Sequence, residues 1–305
     1  MAARPQPGVC AESNLHGLVL LCQLREGHIG SARLKLTKLP ELVNRLDERF
    51  SESLLSVVTA VGSRGWDRLS HQPRPPGLAP FPRFDHALHG LAQNQFDVAF
   101  IIRSDRVDAN FFAGRVLLEW FGDDLQLALE HNLFHYLDNR NLLGFKCPRT
   151  LHGRKREQSC FMQSPEQPGW HLGSHLFLQH FLLHLEAWQG LTTEQQQRII
   201  GRTKVTGERV VTQLPSHADK TSIAPEQPMV WQQMPSASMR EQGHLDLIWS
   251  RDREAMTDFL RHRVEEDSDG FCDPLLEYQS NTLSCALFAP PLAWFERLTG
   301  SNAVE

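Results

Sequence analysis

Tyrosine occurs only twice in the 305 residues, and there is no Cys-x-x-Cys pair. The six cysteines (10, 22, 147, 160, 272 and 285) are scattered. In a chain of this length that argues against a disulfide framework and against a Cys-type zinc site. No apolar run approaches the roughly 18 residues that cross a bilayer as a helix. An excess of positive charge is also missing: Lys and Arg number 31 against 36 Asp and Glu, for a net charge of −5. That excludes a global attraction to nucleic acid or to an anionic membrane surface. The opening stretch carries Pro5 and Pro7 and no apolar core, so it does not read as a secretory signal. The expectation is a cytoplasmic protein with neither nucleic acid nor membrane as partner.

Ordinary globular material fills the rest. Hydrophobic residues make up 41% and charged residues 22%, enough for two modest domains or one large one. Leu15 to Leu24 is an apolar run of strand length. Leu34, Leu36, Leu39, Leu42, Val43, Leu46 and Phe50 then recur mostly at three- and four-residue spacing, which predicts an amphipathic helix that Pro40 bends or splits. Strands are predicted over 54–61, 96–103 and 125–137. Residues 63–95 read as one long proline-rich connection, and a helix runs from the Ser104-Asp105 cap to Gly122. The order β-α-β, loop, β-α-β is that of the ferredoxin-like unit.

The second half repeats the theme. Strands are predicted over 173–181, 229–234, 244–250 and 282–289, a capped helix from Thr192 to Ile200 and another over 253–264. The fold class is therefore α+β: two ferredoxin-like domains, 1–140 and 141–305, each a four-stranded antiparallel sheet with helices packed on it. His171, His175, His180 and His184 invite a metal site if helical, but the alternation around Gly173 favours a strand, which would spread them apart.

One further stretch carries chemistry. His217 lies in Pro215-Ser216-His217, with Gly201-Arg202-Thr203-Lys204 upstream and Asp273-Pro274-Leu275-Leu276-Glu277 downstream. Together with Gly62 to Leu69, Arg74 to Pro82, Ile102 to Arg106, Phe134 to Arg140, Met234-Pro235, Glu241 to Gly243 and Leu287 to Pro290, in that order and spacing, this chain resembles the DyP-type (dye-decolourising) haem peroxidases, in particular their bacterial cytoplasmic branch. The resemblance implies haem b as cofactor, held mainly by the second domain, with His217 as the axial ligand to iron. It also implies a carboxylate on the ligand's other nitrogen, here Asp273 in preference to Glu277, as ligating histidines generally require. Gly144, Arg202 and Lys204 are implied to line the cofactor, the last two towards its propionates. Hydrogen peroxide and a small organic reductant would be the substrates, and a homo-oligomer the assembly.

Two departures stand against that pattern. The family's distal aspartate, in a Gly-x-x-Asp-Gly motif, aligns with Cys147 in Gly144-Phe145-Lys146-Cys147-Pro148. Its distal arginine aligns with Trp231. Peroxide heterolysis uses an acid/base and a nearby positive charge, so activity is expected to be weak or altered. Lys146, Arg149 and Arg154 would be the groups to lower the thiol pKa of Cys147. The basic run 149–156 otherwise reads as a solvated loop. Cys147 or His152 as a second iron ligand, a non-catalytic haem carrier or sensor, and a haem-free scaffold stay open as alternatives. The seven tryptophans offer electron-relay routes to the surface, and the C-terminal Thr299 to Glu305 shows no cargo-type targeting tail.

Overall fold

The computed structural model describes residues 4–11, 14–147, 151–167, 169–224 and 227–298. Pro148, Arg149, Thr150 and the tail from Thr299 lie outside the described residues.

Eight strands form one antiparallel sheet in the order β4-β1-β3-β2-β8-β5-β7-β6. The first four are β1 His16–Leu24, β2 Ser56–Gly62, β3 Val98–Ser104 and β4 Leu125–Phe134. The others are β5 Ser174–Leu183, β6 Met229–Ala237, β7 Gln242–Ser250 and β8 Gln279–Ala289. Each half has the same 4-1-3-2 order, the ferredoxin-like arrangement. Among the described residues, strand pairing between the halves occurs only where Val61 and Gly62 meet Phe288 and Leu287. Strand alternation gives each half two faces. Val19, Leu21, Val58, Ala60, Ala99 and Ile101 from the first half form one core with Leu176, Leu178, Leu245, Leu247, Trp249 and Leu287 from the second. The halves therefore face each other. Across this interface the rings of His131 on β4 and His180 on β5 lie 4.5 Å apart, centre to centre.

Helices cover the outer faces. In the first half these are α1 Ile29–Thr37, α2 Leu39–Arg49, α3 Ser63–Leu69 and α4 Val107–Phe121. The single helix predicted over 31–50 is split at Lys38, because Pro40 stands in the first turn of α2, where its missing N–H costs nothing. The proline-rich connection is shorter than the sequence suggested, since α3 takes its first seven residues. Its remainder is pinned from the second half: Arg253 donates to the carbonyls of Gly77 at 2.7 Å, Ala79 at 3.0 Å and Pro80 at 2.6 Å.

The second half carries α5 Gly153–Cys160, α6 Leu185–Gln189, α7 Thr193–Ile200, α8 His217–Lys220 and α9 Arg253–Val264, followed by α10 Leu292–Arg297. The solvated loop expected over the basic run is corrected by α5. Its Arg156 is 1% exposed and donates to the Ala11 carbonyl at 3.1 Å. Of the four histidines considered for metal, His175 and His180 lie within β5, an odd number of residues apart and so on opposite faces. No set of three or more His, Cys, Asp or Glu suited to a metal ion occurs among the described residues. No described helix is long and apolar enough to cross a membrane.

Candidate functional site

His217 is the first residue of α8, and its position is fixed from both sides. On one side, Ser216 caps the helix: its N–H and hydroxyl both donate to Asp219 Oδ2, at 2.8 and 2.5 Å. Behind Ser216 stands Gly201, the left-handed residue ending α7 (φ +75°). A Cβ there would lie 2.0 Å from Ser216 Oγ, so glycine is required both for the backbone turn and for the close approach. On the other side, Lys220 is buried and its ammonium binds Asp267 at 2.8 Å and the Phe271 carbonyl at 2.5 Å.

The imidazole faces Asp273 across 2.8 Å, Nδ1 to Oδ2. Asp273 is fully buried, and it is also held by Arg263 Nε at 2.9 Å and by the Leu275 N–H at 3.0 Å. Burial raises its pKa, but His217 and Arg263 outweigh it and hold the carboxyl well below the ordinary range. The carboxylate engages the ring at Nδ1 and so leaves Nε2 as the nitrogen open to a ligand. Among the described residues no hydrogen bond occupies Nε2.

Arg263, 1% exposed, links this pair to the sheet. Its Nη1 lies 3.5 Å from Asp246 on β7, and its guanidinium carbon is 4.9 Å from the Phe181 ring centre and 5.9 Å from that of Trp231. Register explains the convergence. Gln179 and Gln233 are the strand partners of Asp246, and Phe181 and Pro235 those of His244, so all share the face under α9. Gln233 Nε2 donates to Asp246 at 3.1 Å. His244 Nε2 is 3.7 Å from the same carboxylate, too long for a hydrogen bond. Burial pushes the His244 pKa down to about 4. Trp231 lies roughly perpendicular to His217, with ring centres 6.1 Å apart.

Four buried polar atoms in this group have no hydrogen-bond partner among the described residues: Trp231 Nε1, Arg263 Nη2, His244 Nε2 and Gln179 Oε1. Buried polar atoms are nearly always satisfied; Trp231 Nε1 and Arg263 Nη2 are donors suited to an occupant's acceptor groups, whereas Gln179 Oε1 is an acceptor and suits a donor.

Cys147 belongs to the same neighbourhood, since the Asp246 charge acts on it. The sequence makes Cys147 a poor base that nearby cations could improve; instead burial, reinforced by Asp246, pushes the thiol up to about 11, and no cation among the described residues offsets them. Gly144, Arg202 and Lys204 are engaged within their own loops. Arg140 Nη1 ties the Gly144 and Lys204 carbonyls together at 2.8 and 2.7 Å. Lys204 donates to Gln196 at 2.8 Å and lies over the Phe145 ring, and Arg202 donates to the Gly207 carbonyl at 3.0 Å. Glu277 is exposed and in its place Asp273 meets the imidazole. Arg263, Asp246, His244 and Gln233 escaped the sequence reading. Their signals were a carboxylate inside the apolar run of β7 and an arginine on the apolar face of α9, in step with Met256, Phe259 and Leu260.

Comparison with known proteins finds similar chains along most of this length. The model of the DyP-type peroxidase N-terminal region matches residues 7–135 and that of the C-terminal region residues 138–294. A dye-decolorizing peroxidase of Mycobacterium tuberculosis is 26% identical over 97% of this chain and 90% of its own length. Among solved structures, the encapsulated DyP-type peroxidase of Mycobacterium smegmatis superposes with a TM-score of 0.90 at 25% identity, covering 97% of this chain and 98% of its own. A Rhodococcus jostii DypB variant in complex with heme shares the fold, with a TM-score of 0.87 at 24% identity over 96% of this chain and 99% of its own.

Proposed function

Because the chain belongs to the DyP-type peroxidase family, matched in both its halves, we propose that it binds haem b through His217 and that its reaction with peroxide is weak or redirected. The observation that carries this reading is the His217–Asp273 pair, 2.8 Å apart and locked by Arg263. It engages Nδ1 and leaves Nε2 free, the arrangement in which an imidazole ligates iron. The unpartnered Trp231 Nε1 and Arg263 Nη2 are donors beside it, suited to the carboxylates of a haem propionate. The division at 140/141 assigns this site to the C-terminal domain.

Bound haem supplies a redox-active iron at which peroxide is reduced and a reductant oxidised. The residues around it decide how well protons move during that reaction. Cys147, protonated at neutral pH, is no base. Trp231 brings no charge. Asp246 is a carboxylate within this pocket, but Arg263 and Gln233 already occupy it. Loss of acid–base assistance costs roughly 10²- to 10⁴-fold, so slow oxidation of a small organic reductant is the activity to look for. A cytoplasmic homo-oligomer completes the proposal; free cysteines throughout the described chain are in keeping with a reducing compartment.

A haem-free scaffold is the second reading. One observation favours it: the Trp231 ring and the Arg263 guanidinium already pack together beside His217 and over Phe181. Absorption spectroscopy separates the two. Haem titrated into the protein should give a sharp Soret band that His217→Ala abolishes and that changes on adding one equivalent of hydrogen peroxide. A band that ignores peroxide means a carrier or sensor, and no saturable band means the scaffold.

A further inference from the structure

The N-terminal turn Pro7–Cys10 packs against β2 and α5, and brings Cys10 to Cys160, the last residue of α5. Cys10 is partly exposed, whereas Cys160 is fully buried. Both belong to one buried cluster, Cys160 inside it and Cys10 packed against it, which sets the Cys160 thiol to donate to the Cys10 sulfur. Two arginines, Arg103 and Arg156, are 1% exposed beside them. Arg103 donates to Gln232 Oε1 at 3.0 Å and to the Gly8 carbonyl. Arg156 donates to the carbonyls of Ala11 at 3.1 Å and Leu151 at 3.4 Å. The Nε of each arginine is buried without a partner, and no carboxylate among the described residues forms an ion pair with either. Two buried cations held by neutral acceptors are costly unless an anion is near.

We propose that Cys10 and Cys160 form a peroxide-reactive dithiol, with Cys10 the nucleophile and Cys160 the resolving thiol. The Cys10 thiolate supplies the missing anion. The hydrogen bond from Cys160, with Arg156 and Arg103, holds Cys10 below the usual thiol range against burial and the Glu157 charge. Cys160 is pushed the other way by that hydrogen bond and by burial, and so keeps its proton. In the first step the Cys10 sulfur attacks one peroxide oxygen. An S–O bond forms, the O–O bond breaks and hydroxide leaves, giving a sulfenic acid; the hydroxide takes up from solvent the proton that Cys10 released there and becomes water. In the second step the Cys160 sulfur attacks the Cys10 sulfur. The S–S bond forms, the S–O bond breaks, and the departing hydroxide takes the Cys160 proton to leave as water. Two thiols are oxidised and one hydrogen peroxide is reduced to two waters. The product staples the N-terminal turn to α5.

The test uses the reduced full chain and its His217→Ala variant, each given one equivalent of hydrogen peroxide and then digested without reductant. The expected result in both is loss of two thiols per chain and a crosslinked Cys10–Cys160 peptide. Cys160→Ser, which keeps a hydrogen-bond donor beside Cys10, should instead accumulate a sulfenic acid at Cys10, trapped by a cyclic 1,3-dione. Oxidation spread over Cys147 and Cys272 with no Cys10–Cys160 crosslink would overturn the proposal, and so would a crosslink that disappears in His217→Ala. The wild-type measurement needs no core substitution, and the His217→Ala arm keeps the outcome separate from haem binding.

Discussion

One carboxylate oxygen, Asp273 Oδ2, accepts both His217 Nδ1 at 2.8 Å and Arg263 Nε at 2.9 Å. Through Arg263 the same network continues to Asp246 on β7. The candidate iron ligand is thus wired to the sheet by a buried charge chain, and breaking one link is felt at the others.

Asp273→Asn removes the charge and leaves Arg263 buried beside a neutral amide. Breaking one side of a buried ion pair costs about 3–5 kcal/mol, measurable as a lower denaturation midpoint in urea. The sign of the pH effect follows from the depressed carboxyl. The stabilisation is complete above the unfolded carboxylate pKa of about 3.9 and is lost as pH falls below it towards the folded value. Acid titration of the wild type should show that loss, and Asp273→Asn should show a shallower one.

Gly201→Ala tests how the site is positioned. The new methyl meets Ser216 Oγ at 2.0 Å in a backbone at φ +75°, so α8 must shift. A loss of roughly 1–3 kcal/mol is expected, with weaker Soret absorbance per mole of added haem than for the wild type. Unchanged thermal unfolding would mean that Ser216 yields without cost.

Much of this architecture is written in local patterns. Apolar runs, β-rich stretches and one alternating segment located all eight strands, apolar faces and caps the α4, α7 and α9 helices, and Pro40 marked the break between α1 and α2. His217 and Asp273 were legible only through resemblance, since 56 positions separate them. What stayed hidden depends on register or on tertiary burial. Nothing local brings Cys10 to Cys160, or tells that Arg156 in a basic run is 1% exposed. Likewise the raised thiol of Cys147 depends on burial and on Asp246, far along the chain, which sequence neighbours such as Lys146 do not reveal.

His175 gives a second pH dependence. It is 3% exposed, near Arg253 and the proline-rich connection at Gly77, and burial first, then Arg253, pushes it down to about 4. Unfolding must take up a proton here, so stability is full above the unfolded histidine pKa of about 6.5 and falls as pH drops towards 4. The connection is the element such protonation strains. Limited proteolysis within residues 73–95 should accelerate as pH falls from about 6.5 towards the folded value, and His175→Gln should flatten that rise.

On the proposed reading, introducing the distal pair that the resemblance implies, Cys147→Asp with Trp231→Arg, should raise peroxide turnover of the haem-loaded protein by about 10²-fold or more. The pH profile should betray the local charges. A carboxylate at position 147 meets the field of Asp246, the same field that pushes the present thiol up, so its pKa is raised. As a base it works only when ionised, which places the acid limb of kcat/KM above the ordinary carboxylate range. Adding Asp246→Asn removes that repulsion and should move the limb down. The guanidinium that Trp231→Arg introduces would compete with Arg263 for Asp246, so part of the shift should already be present in the double variant when compared with Cys147→Asp alone. Stopped-flow measurement of peroxide consumption across the acid and neutral range resolves the three profiles. If the limb stays in place on removing Asp246, the two carboxylates are not coupled, and Asp246 serves Arg263 alone.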